Sequence, residues 1–226
     1  MRIVIAGGHG KIALRLQRLL AQRGDQPVGL IRNPDHAPDL RAAGAEPAQV
    51  DLEHTTVTQL AEQLMGADAA VFAAGAGPGS GAERKETLDR AGAVLFADAA
   101  SLAGVRRFVV VSALRVDEEP PADTDPVFAA YLRAKGAADA DIQQRGAELD
   151  WTILRPGRLT DVTGTGRVQL ASEVEHGDIP RDDVAATLLA LLDEPGTVGH
   201  TLGLVAGSTP IPDAVAQIAA KGAGGS

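Results

Sequence analysis

The chain has 226 residues, 45% of them hydrophobic, 23% charged and only 3% aromatic, with no Cys and a formal net charge of -9. That length suits one large domain, and a core built from Ala, Val, Leu and Ile suits a parallel sheet buried between helices. The missing thiols exclude disulfides, thiolate catalysis and Cys-ligated metals, the acidic balance argues against a nucleic-acid partner, and no apolar run approaches a membrane span.

In chain order, residues 3–5 read as a first strand, after an apolar start too short for a signal peptide, so the cytoplasm is the expected location. A helix over residues 11–22 and a strand over 28–31 follow, then a weak third strand at 47–50. A polar helix near 56–65 precedes a fourth strand at 69–72. Residues 73–82 are Gly-rich and lie between that strand and a long helix at 83–103, which predicts a loop at the ligand-binding edge of a sheet. Residues 108–111 form the clearest strand, 128–145 a helix and 151–154 another strand.

This alternation predicts an α/β fold: a doubly wound, Rossmann-like parallel sheet in the order 3-2-1-4-5-6, within one domain over residues 1–220. Segments at about 157–180 and 195–212 are expected to form a small C-terminal annex on the substrate side, and residues 221–226 a flexible tail.

Three motifs carry chemistry. Gly7-Gly8-His9-Gly10-Lys11-Ile12-Ala13 joins the first strand to the first helix. Glycines there permit a tight turn and let backbone N–H groups approach a pyrophosphate at a helix N-terminus, where the dipole favours anions. His9 in this turn is a candidate to donate to phosphate or to cap the helix. The second motif closes the second strand, where NAD-specific proteins commonly place an acid for the ribose 2′-OH. Here the chain reads Ile31-Arg32-Asn33-Pro34, with no acid from 30 to 34. Arg32 can pair bidentately with a 2′-phosphate, so NADP(H) is preferred and NAD(H) is the alternative. Third, the single Tyr, Tyr131, is followed four places later by Lys135 on the same helix face. A neighbouring ammonium is expected to lower the phenol's pKa and make Tyr131 a general acid or base. Ser112 ends the strongest strand, where a hydroxyl can hydrogen-bond a substrate carbonyl.

On these residues the chain resembles a short-chain dehydrogenase/reductase of the atypical, NAD(P)H-binding, epimerase-like kind. The likeness runs from Gly7 to Gly207 and includes Gly104-Val105-Arg106-Arg107-Phe108-Val109 and Trp151-Thr152-Ile153-Leu154-Arg155-Pro156-Gly157. It implies that Asp51 and Leu52 contact adenine, that Ala73, Ala74 and Gly75 line the adenosine ribose, and that Lys135 binds the nicotinamide ribose. It also implies that Pro156 and Gly157 lie beside the nicotinamide and that Ser112, Tyr131 and Lys135 form the catalytic triad. The Asn common after the fourth strand of such proteins is absent, replaced by Ala-Ala-Gly-Ala-Gly.

The expected activity is therefore an NADP(H)-dependent oxidoreductase or epimerase acting on a small carbonyl or alcohol substrate, as a monomer or small homo-oligomer. Two alternatives stand beside it: a non-catalytic NADP(H) sensor, and a flavin or quinone reductase with direct hydride transfer. The remaining His residues, His36, His54, His176 and His200, lack mutual ligand spacing, so no metal is expected. Asp182 or Asp183 is expected to cap a late helix, and Pro120-Pro121 fits a substrate-side lid.

Overall fold

A computed structural model of the chain describes residues 1–77 and 79–223. Strand–helix alternation begins with β1 (Arg2–Ala6), α1 (Lys11–Arg23), β2 (Gln26–Ile31), α2 (Ala37–Ala42), β3 (Glu46–Gln49), α3 (Val57–Leu64) and β4 (Ala69–Phe72). The next helix has three parts: α4 (Ala82–Arg84), a π-helical segment (Lys85–Arg90) and α5 (Ala91–Leu102). Then come β5 (Arg107–Val111), α6 (Pro126–Gln143) and β6 (Asp150–Pro156). The C-terminal part holds β7 (Arg158–Thr160), β8 (Arg167–Ala171), β9 (Asp178–Pro180), α7 (Arg181–Asp193), β10 (His200–Ala206), β11 (Thr209–Pro210) and α8 (Ile211–Ala223).

The main sheet runs β11-β8-β10-β6-β5-β4-β1-β2-β3. Its parallel body contains the expected order 3-2-1-4-5-6, and β10 extends it parallel to β6. β8 and β11 then add antiparallel, while β7 and β9 form a separate two-stranded sheet. These strands fall in the two segments expected as an annex. Of the expected tail, Lys221 to Ala223 close α8, and 224–226 lie outside the described residues.

Strand periodicity explains the layers. On β1, Ile3 and Ile5 point to the face covered by α1, α7 and α8, and Val4 and Ala6 to the face covered by α3, α5 and α6. Three of the four Phe residues, Phe72, Phe96 and Phe108, are fully buried on this second face, with ring centroids 6.1 and 5.7 Å apart in succession. Polar residues set the helix boundaries. Thr56 and Gln59 form a reciprocal capping box at the start of α3, and Asp125 accepts from Phe128 N at 2.9 Å at the start of α6.

From β1 the chain winds to one side of the sheet and returns through β4 on the other, so the carboxyl ends of β1 and β4 form the crevice where ligands bind in such sheets. Two glycines make the crevice possible. Gly7 has φ +77°, and a Cβ there would sit 2.6 Å from Ala74 Cα. A Cβ on Gly8 would lie 2.7 Å from Gly29 Cα, so this residue seats the turn against β2.

The late acids act differently from expectation. Pro180 is the N-cap of α7 and no side chain caps it. Asp183 instead accepts from Thr165 N (2.9 Å) and Gly166 N (2.8 Å), and Asp182 from Gly164 N (3.1 Å) and Arg15 Nε (2.6 Å). A loop presenting three free N–H groups outcompetes the helix's own first turn for these carboxylates.

Candidate active site

Two cavities meet over the glycine turn. One, of about 320 Å³, lies over the ends of β2 and β3; the other, of about 720 Å³, lies over β5 and α6. Both are lined by His9, Gly10, Ala73, Ala74 and Gly75, so together they form one trough across the sheet edge. The N-terminus of α1 opens at their junction. Its N-cap, Gly10, offers no side-chain cap, and its first turn carries no acid, which leaves N–H groups free for an anion. Lys11 and Ile12 border the larger cavity. Gly8 borders neither; its N–H donates to Leu30 O at 2.9 Å, a packing role.

The smaller cavity gathers Arg32, Asn33, Asp51 and Leu52. Asn33 caps the short 3-10 turn Pro34–His36 by accepting from Asp35 N at 3.1 Å, which places Asp35 within that turn. Asp51 accepts from Glu53 N at 3.0 Å and pairs with His54 at 3.0 Å. Although no acid lies between 30 and 34, Glu53 reaches the same place from the loop after β3. It accepts from Arg32 (3.2 Å), Arg84 (2.6 Å) and Thr87 Oγ1 (2.7 Å). The Arg84 contact, chiefly, holds its carboxyl below the usual range. His9 neither caps α1 nor points free: its Nε2 lies 2.7 Å from Asp39 Oδ2 and its ring stacks on His36 at 3.7 Å.

Ser112, Tyr131 and Lys135 all border the larger cavity. Lys135 is buried and donates to Val111 O (3.0 Å) and Ala74 O (3.3 Å), pinning the loop after β4 to the end of β5. Its nearest carboxylate is Asp89 at 3.8 Å. The expectation that Lys135 lowers the Tyr131 pKa is overturned: burial, chiefly, then the facing charges of Asp89 and Asp139, push the phenol above its ordinary value. The cation beside the Tyr131 ring is Lys85, 5.3 Å from its centroid. Ser112 also differs from expectation, since its hydroxyl donates to Asp139 Oδ2 at 2.9 Å. Asp139 is held in turn by Arg155 Nε at 2.9 Å, and Arg155 by Asp117 at 2.8 Å.

Pro156 and Gly157 border neither cavity. Gly157 donates to Leu204 O at 2.9 Å, and a Cβ there would fall 2.1 Å from Gly177 O, so the pair carries β6 across into the small sheet. Among the described residues no group of three or more His, Asp or Glu is placed to hold a metal ion, and no helix is long and apolar enough to cross a membrane.

Sequence reasoning missed Glu53, Arg84, Lys85, Asp89 and Asp139. Lys85 and Asp89, and likewise Lys135 and Asp139, are spaced i and i+4. That spacing is a usable signal, but it equally describes ordinary surface ion pairs.

Comparison with known proteins agrees with this geometry. Residues 7–195 match the model of a family described as NAD(P)H-binding. A Bacillus subtilis protein named as an uncharacterized sugar epimerase is 35% identical over 219 residues, 96% of this chain and 100% of that protein. A solved structure from Bacillus halodurans, named provisionally as an NAD-dependent epimerase/dehydratase, is 34% identical with TM-score 0.88, covering 96% of this chain and 99% of that one. An oxidoreductase from Lactococcus lactis is 27% identical with TM-score 0.84, covering 96% of each chain. With a glycine turn, a two-lobed trough and a matching family model over most of its length, the chain belongs to the NAD(P)H-binding family of Rossmann-like, epimerase- and oxidoreductase-related proteins.

Proposed function

We propose that the chain is an NADP(H)-dependent oxidoreductase or epimerase that acts on a small carbonyl or alcohol substrate. The observation that carries this reading is the convergence of Ser112, Tyr131 and Lys135 on the larger cavity, which shares its floor with the nucleotide-side cavity. A dinucleotide fits the residues present. The uncapped start of α1 suits the pyrophosphate, the missing Cβ at Gly7 lets the loop after β4 close against the turn, and Arg32 and Arg84 suit a 2′-phosphate. When bound, the nicotinamide supplies or accepts the hydride.

The chain's own groups set the proton chemistry. The Tyr131 phenol is neutral at physiological pH with or without the upward push from burial, and the neutral form is the one that can donate a proton to a carbonyl oxygen. Tyr131 therefore serves as general acid for reduction. Ser112 commits its proton to Asp139, so its oxygen offers lone pairs to the hydroxyl of the alcohol form. Lys135 fixes the floor by tying the loops after β4 and β5 together. Tyr131→Phe should lower turnover with a carbonyl substrate by about 10²–10⁴-fold while leaving NADPH affinity within about twofold, because the phenol acts only in the chemical step. Wild-type turnover in the Phe variant would refute the acid role and favour direct transfer to a flavin or quinone.

A further inference from the structure

Lys85 is a buried cation without an anion. It is only 7% exposed, and among the described residues no carboxylate lies within 4.0 Å of its ammonium. Among the described residues its one hydrogen bond goes to Gly77 O, at 3.0 Å, in the Gly-rich loop. The other cations at the larger cavity are matched: Lys11 and Arg181 both reach Asp161, at 2.7 and 2.9 Å, and Lys135 lies beside Asp89. Asp139 is taken by Arg155. Burying an ammonium is costly unless a counter-charge accompanies it, and Lys85 faces a cavity of about 720 Å³ rather than packed core.

The surroundings describe the rest of a ligand. Val127 and Phe128 border the same cavity and are exposed, Phe128 by 52%, with its ring stacked at 5.9 Å on that of Tyr131. Leu159 and Val111 add apolar wall. Lys85 and Tyr131 are neighbours, so an anion on Lys85 is held a few atoms from the phenol.

We propose that Lys85 is the substrate's anion-binding residue, and that the substrate is a carbonyl or alcohol compound bearing a carboxylate on an apolar body. This rests on the oxidoreductase reading for the word substrate, but the carboxylate site itself does not. The carboxylate takes two of the donors Lys85 has left, the apolar body lies along Phe128, and the reacting carbon comes to Tyr131.

The test is a calorimetric titration of acetate, butyrate, benzoate and 2-naphthoate, each against its primary amide, with and without NADP⁺. At least one acid should bind about tenfold or more tightly than its amide, as a charge-assisted hydrogen bond implies. In Lys85→Met that ratio should fall to within about twofold, whereas Tyr131→Phe should keep it and NADP⁺ affinity should not change in either variant. Lys85→Met is nearly isosteric and removes an uncompensated charge, so its Tm should not fall; Lys85→Arg should restore part of the preference. A loop-tethering role alone would not move the acid-to-amide ratio. The assignment is overturned if no acid outbinds its amide in the wild type, if Lys85→Met keeps the preference, or if that variant loses NADP⁺ instead. Failure of the wild type to bind either NADP⁺ or NAD⁺, with the acid preference intact, would refute the oxidoreductase reading and leave the carboxylate site standing.

Discussion

Replacing Glu53 by Gln tests what the nucleotide-side cavity selects. Glu53 holds two guanidinia, at 3.2 Å for Arg32 and 2.6 Å for Arg84, and a 2′-phosphate has to share both with it. Arg32 is 57% exposed, so its pair with Glu53 is a weak surface one of roughly 0.2–1 kcal/mol. A phosphate hydrogen-bonded to a guanidinium gains roughly 1.5–3 kcal/mol, so NADPH should outbind NADH by about ten- to a hundredfold despite Glu53. Glu53→Gln keeps the shape, removes the competing charge and the repulsion, and frees both cations. The preference should then widen by roughly 0.5–1.5 kcal/mol, about two- to tenfold, through NADPH alone. Arg32→Ala should erase most of the wild-type gap, and added salt should narrow it because the cavity rim is exposed. Calorimetric titration of both nucleotides into wild type and the two variants at low and high salt measures every term. Equal affinities in the wild type, an unchanged ratio in Glu53→Gln, or an undiminished one in Arg32→Ala would each refute the reasoning.

Two further outcomes follow from geometry already described. A Cβ at Gly10 would approach Gly7 O only to 3.1 Å, so Gly10→Val should leave the fold cooperative but weaken dinucleotide binding at least about tenfold, whereas Gly8→Val drives branched carbons into Gly29 and should unfold or strongly destabilise the chain; calorimetry and thermal melts separate the two, and similar behaviour of both variants would contradict these roles. Arg107, on β5, is partly buried, and desolvation pushes its guanidinium down to about 10. Its folded pKa is thus below its unfolded one, so the cation is a net cost that is fully present below pH 10 and relieved above it, and the group is tolerated because it donates to Asp150 O (2.8 Å), Thr152 Oγ1 (2.9 Å), Leu191 O (2.5 Å) and Thr197 Oγ1 (3.3 Å). Arg107→Ala should strand these acceptors and lower stability by about 2–4 kcal/mol in urea denaturation; a loss below about 1 kcal/mol would show the acceptors finding other partners.

The parallel body of the sheet was legible because its strands are short, continuous apolar runs separated by helix-length segments. Beyond β6 that signal fades. β7, β9 and β11 span two or three residues each, too short to carry a period, whereas β8 does alternate Arg167-Val168-Gln169-Leu170 and held a usable strand signal. At the site, residues fixed by backbone chemistry were readable: the glycine turn, and the side chains directly after β2, β4 and β5. Charged side chains brought in by tertiary structure were not. Glu53 reaches Arg32 across 21 positions, and Asp139 meets Ser112 across 27. The Tyr131–Lys135 spacing was read correctly as one helix face, but a shared face does not fix where an ammonium points. Carbonyls at Val111 and Ala74 hold Lys135 instead, and burial, reinforced by Asp89 and Asp139, raises the phenol's pKa.

The π-helical segment makes this site sensitive to chain length. Six residues there are wound with i→i+5 bonds between two α-helical stretches, and the segment carries both Lys85 and Asp89. Such a segment is one residue longer than the α-helix it interrupts. Deleting a single position from it would let α4 and α5 join in regular phase, turning everything N-terminal by about 100° around the helix axis. Lys85 would then leave the cavity while α5 kept its packing under β4. A family that gains or loses one residue at this place can therefore exchange the polar lining of its substrate cavity without disturbing the sheet, a route to new specificity that point substitutions do not offer.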